Sequence, residues 1–253
     1  MKQTFVGIAV TVAFAVQIGL SHSTVLAQTP SLTVDQVMEK YIAATGGRTA
    51  YNKIKSSTVK ATLEIAPNGL KGTFAASAKA PNLILITQTI DGIGEIRQGY
   101  DGKTGWSQDP LSGLRTLDGP ELATLAREAT FNGPLRWKEL FKIAQMLGVK
   151  QFEGTKVYAI KLMPAVGNPV TQYFDVKTFL LVGEDTVQES PQGKLAVHAS
   201  MSDYRLVDGI KEPFLIRQKL GPAADVTLKT TEVKNNVDLD DTIFAKPAAT
   251  EAK

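Results

Sequence analysis

Cysteine is absent from this chain, and histidine nearly so: His22 and His198 are the only two in 253 residues. Without cysteine there is no disulfide framework, no thiolate nucleophile and no cysteine-linked lipid anchor at a mature N-terminus. Two histidines cannot assemble the nitrogen and sulfur ligands of a zinc site. A Ser-His-Asp arrangement would have to run through His198, which sits in Lys194-Leu-Ala-Val-His-Ala-Ser200 with no nucleophile motif beside it. A hydrogen-bonded or solvent-facing strand histidine is the plainer reading. Glycine is plentiful but not arranged as a phosphate cradle, since Gly92-Ile-Gly94 lacks the third glycine and the helix that would follow it. Charge of one sign is missing too: 28 basic residues against 25 acidic give +3, too little to argue for nucleic acid or an acidic polymer as partner. These absences lead us to expect no catalytic residue, no metal and no cofactor.

One long apolar run is present, at the N-terminus. Lys2 precedes Phe5–Leu20, in which only Thr11 and Gln17 are polar, and Val25-Leu26-Ala27 then offers small residues at positions −3 and −1 of a cleavage site before Gln28. This reads as a signal peptide over residues 1–27. Removing 27 of 253 residues leaves 226, and losing Lys2 takes the net charge from +3 to +2. A chain of that length can bury a sizeable core without disulfides. The expected location is a periplasm, in soluble form and without a lipid anchor.

The mature chain alternates strand and turn signals. Thr33-Val-Asp-Gln36 is a capping box, and Val34, Val37, Met38, Tyr41 and Ile42 form the apolar stripe of a helix that Gly46-Gly47 ends. Asp208-Gly209 supplies the positive φ of a two-residue hairpin turn, and Asp101-Gly102 and Pro67-Asn68-Gly69 are further turn signals. Two helices are predicted in the middle. Leu122, Leu125, Ala126 and Ala129 mark the first; Trp137, Leu140, Phe141 and Ala144, stopped by Gly148, mark the second. Leu111–Leu117 reads as a small hairpin or loop, and from Val149 nearly everything is strand. We therefore predict one domain over residues 28–247, α+β but mainly β, with about ten or eleven antiparallel strands and a disordered tail over 248–253.

Acidic residues could form a glycosidase pair or a calcium loop, but Asp238-Leu-Asp240-Asp241 lacks the glycine and distal glutamate of an EF-hand and reads as a capped turn. Glu184, Asp185 and Glu189 read as the solvated face of a strand. What remains is apolar surface. A meander of this size must close, stack or be covered, and the three predicted helices are natural covers for an open sheet. If they pack loosely, the space beneath is an apolar cavity lined by Leu83, Leu85, Ile96, Trp106, Leu122, Leu125, Trp137, Phe141 and Tyr173. The same residues equally suit a filled core.

Several segments carry a family resemblance. Tyr173-Phe-Asp-Val-Lys-Thr-Phe-Leu-Leu181, Ser202-Asp-Tyr-Arg-Leu-Val-Asp-Gly-Ile-Lys-Glu-Pro-Phe214 and Thr231–Pro247 resemble the recurrent strand-turn-strand segment, the following hairpin and the closing turn of the outer-membrane lipoprotein-sorting (LolA-like) superfamily. Thr33–Arg48 and Gly99–Trp106 are similar to a subgroup of uncharacterised exported proteins whose domain also occurs attached to exported peptidases. The resemblance implies an antiparallel unclosed β-barrel with helices across its concave side. It also implies a non-enzymatic carrier of an acyl chain, lipid or lipoprotein. In the sorting carrier an arginine holds the helical lid; no motif places it here, and Arg97 and Arg115 are the candidates. Lipid or lipoprotein acyl chains are thus the expected ligands, with an envelope protein as a possible partner, no nucleic acid, and a monomeric state. The alternative is a half-barrel sensor or interaction module that binds a protein partner and no lipid. A carboxylate-based hydrolase has no sequence feature in its favour.

Overall fold

The computed structural model describes residues 32–190, 193–222 and 224–248. The expected signal peptide and residues 249–253 of the expected tail lie outside them, as do Pro191 and Gln192 of one expected turn.

Thr33 opens helix α1 (Val34–Ala44) with the capping box its sequence predicts: Thr33 Oγ1 accepts from the Gln36 amide at 3.2 Å and Gln36 Oε1 accepts from the Thr33 amide at 2.9 Å. The short helix α2 (Gly47–Lys53) follows at once. Six strands come next, β1 (Ser56–Ala66), β2 (Leu70–Lys79), β3 (Leu83–Ile90), β4 (Gly94–Tyr100), β5 (Gly105–Asp109) and β6 (Gly113–Thr116). The insertion holds α3 (Gly119–Glu128), a 3₁₀ turn (Gly133–Arg136) and α4 (Trp137–Leu140). Seven strands complete the chain: β7 (Ile143–Phe152), β8 (Thr155–Met163), β9 (Val170–Asp175), β10 (Leu181–Ser190), β11 (Gly193–Val207), β12 (Ile210–Leu220) and β13 (Ala224–Asn235).

All thirteen form one antiparallel sheet in the order β6-β5-β4-β3-β2-β1-β13-β12-β11-β10-β9-β8-β7. Every neighbouring pair is consecutive in sequence except β1–β13, which joins the first strand to the last. The sheet is thus an unclosed barrel, and its two free edges are the strands that flank the helical insertion. The strand count exceeds the expected ten or eleven; Gly113–Thr116, read only as part of a hairpin or loop, pairs with β5 as a strand.

The second inserted helix is far shorter than its spacing predicts. It ends at Leu140, and Ala144 already belongs to β7, whose start is fixed by the Lys142 amide donating to the Met163 carbonyl at 2.9 Å and by the Ile143–Met163 register. Trp137, Leu140, Phe141 and Ala144 match a helical period by coincidence over four residues. Ile143–Met146 equally matches a period of two, and the β7–β8 hairpin bonds decide between them.

Alternation puts one side of the sheet under the helices. Ile160, Leu162 and Phe174 pack on Val37, Met38 and Trp137, and Tyr100 and Leu117 pack on Leu125 of α3 and on Ala129, which caps it. The other side carries the C-terminal segment. Phe244, fully buried at the end of the 3₁₀ turn Asp241–Phe244, accepts a hydrogen bond at its carbonyl from Trp106 Nε1 at 2.8 Å. Lys79 Nζ fastens the same segment at 2.7 Å to both the Leu239 carbonyl and Asp241. Asp208 and Gly209 adopt φ of 48° and 86° between β11 and β12, the two-residue turn their sequence predicts. Among the described residues no helix is long and apolar enough to cross a membrane.

Candidate ligand-binding cavity

Helix α3 begins with Asp118-Gly119-Pro120, proline fitting a first turn whose amide needs no partner. The helix is fastened to one edge of the sheet and closely approached from the other side. On the β6 side, Arg115 donates to both carboxylate oxygens of Glu121, at 2.7 and 2.5 Å, and the Leu122 methyl occupies the space over Gly105, 2.6 Å from where a Cβ would stand. On the other side the loop before β9 comes close: a Cβ on Gly167 would lie 3.3 Å from Thr124 Oγ1 and 3.6 Å from Arg127 Nη1.

Beneath α3 and α4 lies a cavity of about 480 Å³. One part of its wall is apolar, from Met38, Leu125, Trp137, Leu140, Phe141 and Leu162. Another part is polar, where the last turn of α3 (Arg127, Glu128) faces Gln172 of β9 and Glu184 of β10. Arg127 donates to Thr124 Oγ1 at a long 3.4 Å and lies over the Phe141 ring, 5.8 Å from its centroid. Glu184 accepts from Gln172 Nε2 at 3.1 Å. Neither Glu128 nor Glu184 forms an ion pair with Arg127 among the described residues.

Burial sets the charge states here. Loss of water pushes the Glu128 carboxyl up to about 7, with Arg127 pulling the other way and Glu184 adding to the rise. Burial likewise raises Glu184, opposed by the Gln172 hydrogen bond and by Arg127, and it lowers Arg127. Glu128 nevertheless stands exposed at the cavity margin, so solvent tempers its rise, whereas Glu184 and Arg127 are half-buried. Contact with solvent supports its charge, and an apolar occupant of the cavity would remove part of that support.

A smaller cavity of about 240 Å³ adjoins the first and is lined by Tyr51, Ile210 and Glu212 among others. Tyr41, Gly133 and Pro134 line both and form the wall between them. Desolvation pushes Glu212 up to about 7, and burial also raises Tyr41 and Tyr51.

Of the nine residues predicted to line a cavity, the structure brings Leu125, Trp137 and Phe141 together at it. Leu122 packs instead against Tyr100, Leu117 and Leu125, and Ile96 joins the apolar cluster of Leu63, Ile90 and Val226. Leu83, Leu85, Trp106 and Tyr173 are on the other face of the sheet. Leu83 and Leu85 alternate with Ile84, which packs under α3. Trp106 bonds to Phe244, and Tyr173 stacks on Phe152 and donates to Asp185 at 2.6 Å. His198 is on that face too, its Nδ1 2.6 Å from Asp185. Neighbouring strand residues point opposite ways, so Glu184 faces the cavity although Asp185 does not. Reading both as one solvated face missed the inner carboxylate. Arg127 and Glu128 were missed because a charged pair at a helix end looks solvated. Of the two arginine candidates, Arg115 clamps α3 while Arg97 lies over Trp106 on the far face, 5.4 Å from the ring centroid. Among the described residues no group of three or more His, Asp or Glu side chains is placed to hold a metal ion.

No family model and no curated protein matches the sequence. Solved structures do match in shape. A LolA-superfamily protein from Nitrosomonas europaea superposes with a TM-score of 0.58 at 17% identity, covering 85% of this chain and 99% of its own. A DUF1329-family protein from Desulfovibrio piger gives 0.55 at 14%, covering 84% and 97%. A domain described as outer membrane lipoprotein-sorting, from Vibrio parahaemolyticus, gives 0.54 at 11%, covering 83% and 95%. The fold is LolA-like. At these identities the kinship is one of architecture, so the cavity of this LolA-like half-barrel has to be understood from its own side chains. The polar patch of Arg127, Glu128, Gln172 and Glu184 is a property of this chain.

Proposed function

We propose that the protein is an exported, non-enzymatic carrier that holds an acyl chain, of a lipid or a lipoprotein, in the cavity beneath α3 and α4. The observation that carries this reading is the cavity itself, about 480 Å³ with an apolar wall of Met38, Trp137, Leu140, Phe141 and Leu162. That volume falls within the range of roughly 300–1,000 Å³ typical of small-molecule sites. Sheathing a chain of about 16 carbons contributes on the order of 10 kcal/mol at about 0.8 kcal/mol per CH₂, before the costs of ordering the chain and admitting it past α3. The leader-like N-terminus of the sequence and the LolA-like fold support a periplasmic location.

Native mass spectrometry with lipid extraction, on protein taken from a periplasm without detergent, tests the reading. Co-purifying mass that extracts as lipid or acyl peptide is the expected result. Trp137→Asp or Phe141→Asp should abolish binding of an acyl probe; retained binding with an intact fold would remove those residues from the site. A second reading rests on a separate observation: edge strand β7 exposes Ile143 and Val149, 57% and 45% accessible, beside unpaired backbone. Such an edge suits addition of a partner strand. A clean apo mass together with a captured envelope protein would favour it.

A further inference from the structure

The cavity described above is not uniformly apolar, and its polar part is unfinished. Arg127 carries five N–H donors, yet its guanidinium has one long bond to Thr124 and a ring beneath it. Glu128 lines the cavity with no hydrogen-bond partner among the described residues, and Glu184 has only Gln172. Donors and acceptors of both charges therefore line one part of the cavity between α3 and β10 with bonding capacity to spare. An apolar chain laid against them shuts out solvent and leaves them bare, at a high cost in desolvation, unless the ligand itself supplies partners.

The geometry points to a ligand of one specific kind: we propose that the cavity takes a single-chain amphiphile with an uncharged, hydrogen-bonding headgroup of the alcohol or amide class, seated between Arg127, Glu128 and Glu184. The proposal rests on the carrier reading and names its ligand class. A hydroxyl or amide can accept from the Arg127 guanidinium and donate to the Glu184 carboxylate at once. With Glu128 protonated, a free carboxylate would stand as a second anion beside Glu184; an ammonium would sit against Arg127. Either charge would be buried without full compensation. An uncharged head leaves the site close to neutral, since desolvation favours the protonated form of Glu128 while Arg127 and Glu184 offset each other.

The test compares chain-matched probes on the full mature protein by calorimetric titration. These are 1-palmitoylglycerol and palmitamide against palmitate and hexadecylamine. Both neutral probes should bind at least about tenfold tighter than either charged one, and the order of the two neutral probes tells an alcohol from an amide head. Glu184→Gln should bring palmitate up relative to the neutral probes, and Arg127→Gln should bring hexadecylamine up. A merely structural role for these residues would weaken all four probes alike. Equal affinities across headgroups, or a charged probe binding tightest to the unmodified protein, would overturn the headgroup assignment and leave the carrier reading standing. Failure of every probe to bind would overturn the carrier reading, and this assignment with it. The ranking on the unmodified protein decides even if a variant misfolds.

Discussion

Arg115 and Glu121 bind α3 to the β6 edge of the sheet, and breaking that bond should loosen the helix without unfolding the sheet. The two side chains are 24% and 22% accessible, the most sheltered ion pair among the described residues. Removing one partner of a fully buried pair costs about 3–5 kcal/mol, and an exposed pair is worth at most about 1 kcal/mol. Roughly 2 kcal/mol is the middle course for a bidentate pair at this exposure. The two single substitutions are not equivalent. Arg115 Nε is buried without a partner, so Arg115→Met discards one unsatisfied donor along with the salt bridge. Glu121→Gln leaves the whole guanidinium in place, half-sheltered, with one neutral acceptor in place of two charged ones and an amide NH₂ turned against it. Glu121→Gln should therefore be the costlier change, and the double variant should recover part of the loss. Amide hydrogen exchange reads this directly. A drop of about 2 kcal/mol in the opening free energy of α3 speeds exchange there by about 30-fold, at about 1.4 kcal/mol per factor of ten, while amides of β1 and β13 stay protected. Unchanged exchange in α3, or Arg115→Met proving more damaging than Glu121→Gln, would refute the clamp.

Phe244→Ala should destabilise the protein by about 3–5 kcal/mol, the usual cost of emptying a buried phenylalanine site, and should blue- or red-shift the fluorescence of Trp106 beneath it; a loss under about 1 kcal/mol by urea denaturation would mean that the C-terminal segment does not seal that face. Stability should also depend on pH. The folded state raises Glu212 from 4.5 to about 7 and raises Glu128 in the same direction, so between those values the native protein holds protons that the unfolded chain releases. Stability is then full below about 4.5 and falls as pH climbs through 7. A sequestered carboxyl would lose about 3 kcal/mol over that span, and one in contact with cavity water about 1 kcal/mol. Thermal melts should show the fall, and Glu212→Gln should flatten it; a melting temperature that rises between mildly acidic and neutral pH would contradict the shift.

Much of the architecture was legible because local chemistry determines it. The capping box at Thr33, the Asp208-Gly209 turn and the strand alternation are each set by a few adjacent residues. The resemblance of Tyr173–Leu181 and Ser202–Phe214 to LolA-like segments agreed with the sheet that formed. The cavity was less legible, because its lining depends on which face of each strand the helices cover. Trp106 and Tyr173 looked like lining because they are large and apolar, yet the C-terminal segment and Phe152 claim them on the far side. Glu184 looked like surface because it is charged, yet it faces inward. Ala144 satisfied the helical period of Trp137, Leu140 and Phe141 and the strand period of Ile143–Met146 alike, and only pairing with β8, a non-local event, settled it.

The topology has one more implication. Because β1 pairs with β13, the free edges β6 and β7 are joined covalently by residues 117–142 alone. That segment is a tether of fixed contour length across the mouth of the half-barrel, with α3 as its rigid part. Lengthening or shortening it alters how far the edges can part while leaving every strand-strand register untouched. Aperture and scaffold are therefore separable in this protein, and a handful of insertions or deletions between Leu117 and Lys142 would reset the width of the mouth without a single substitution in the sheet.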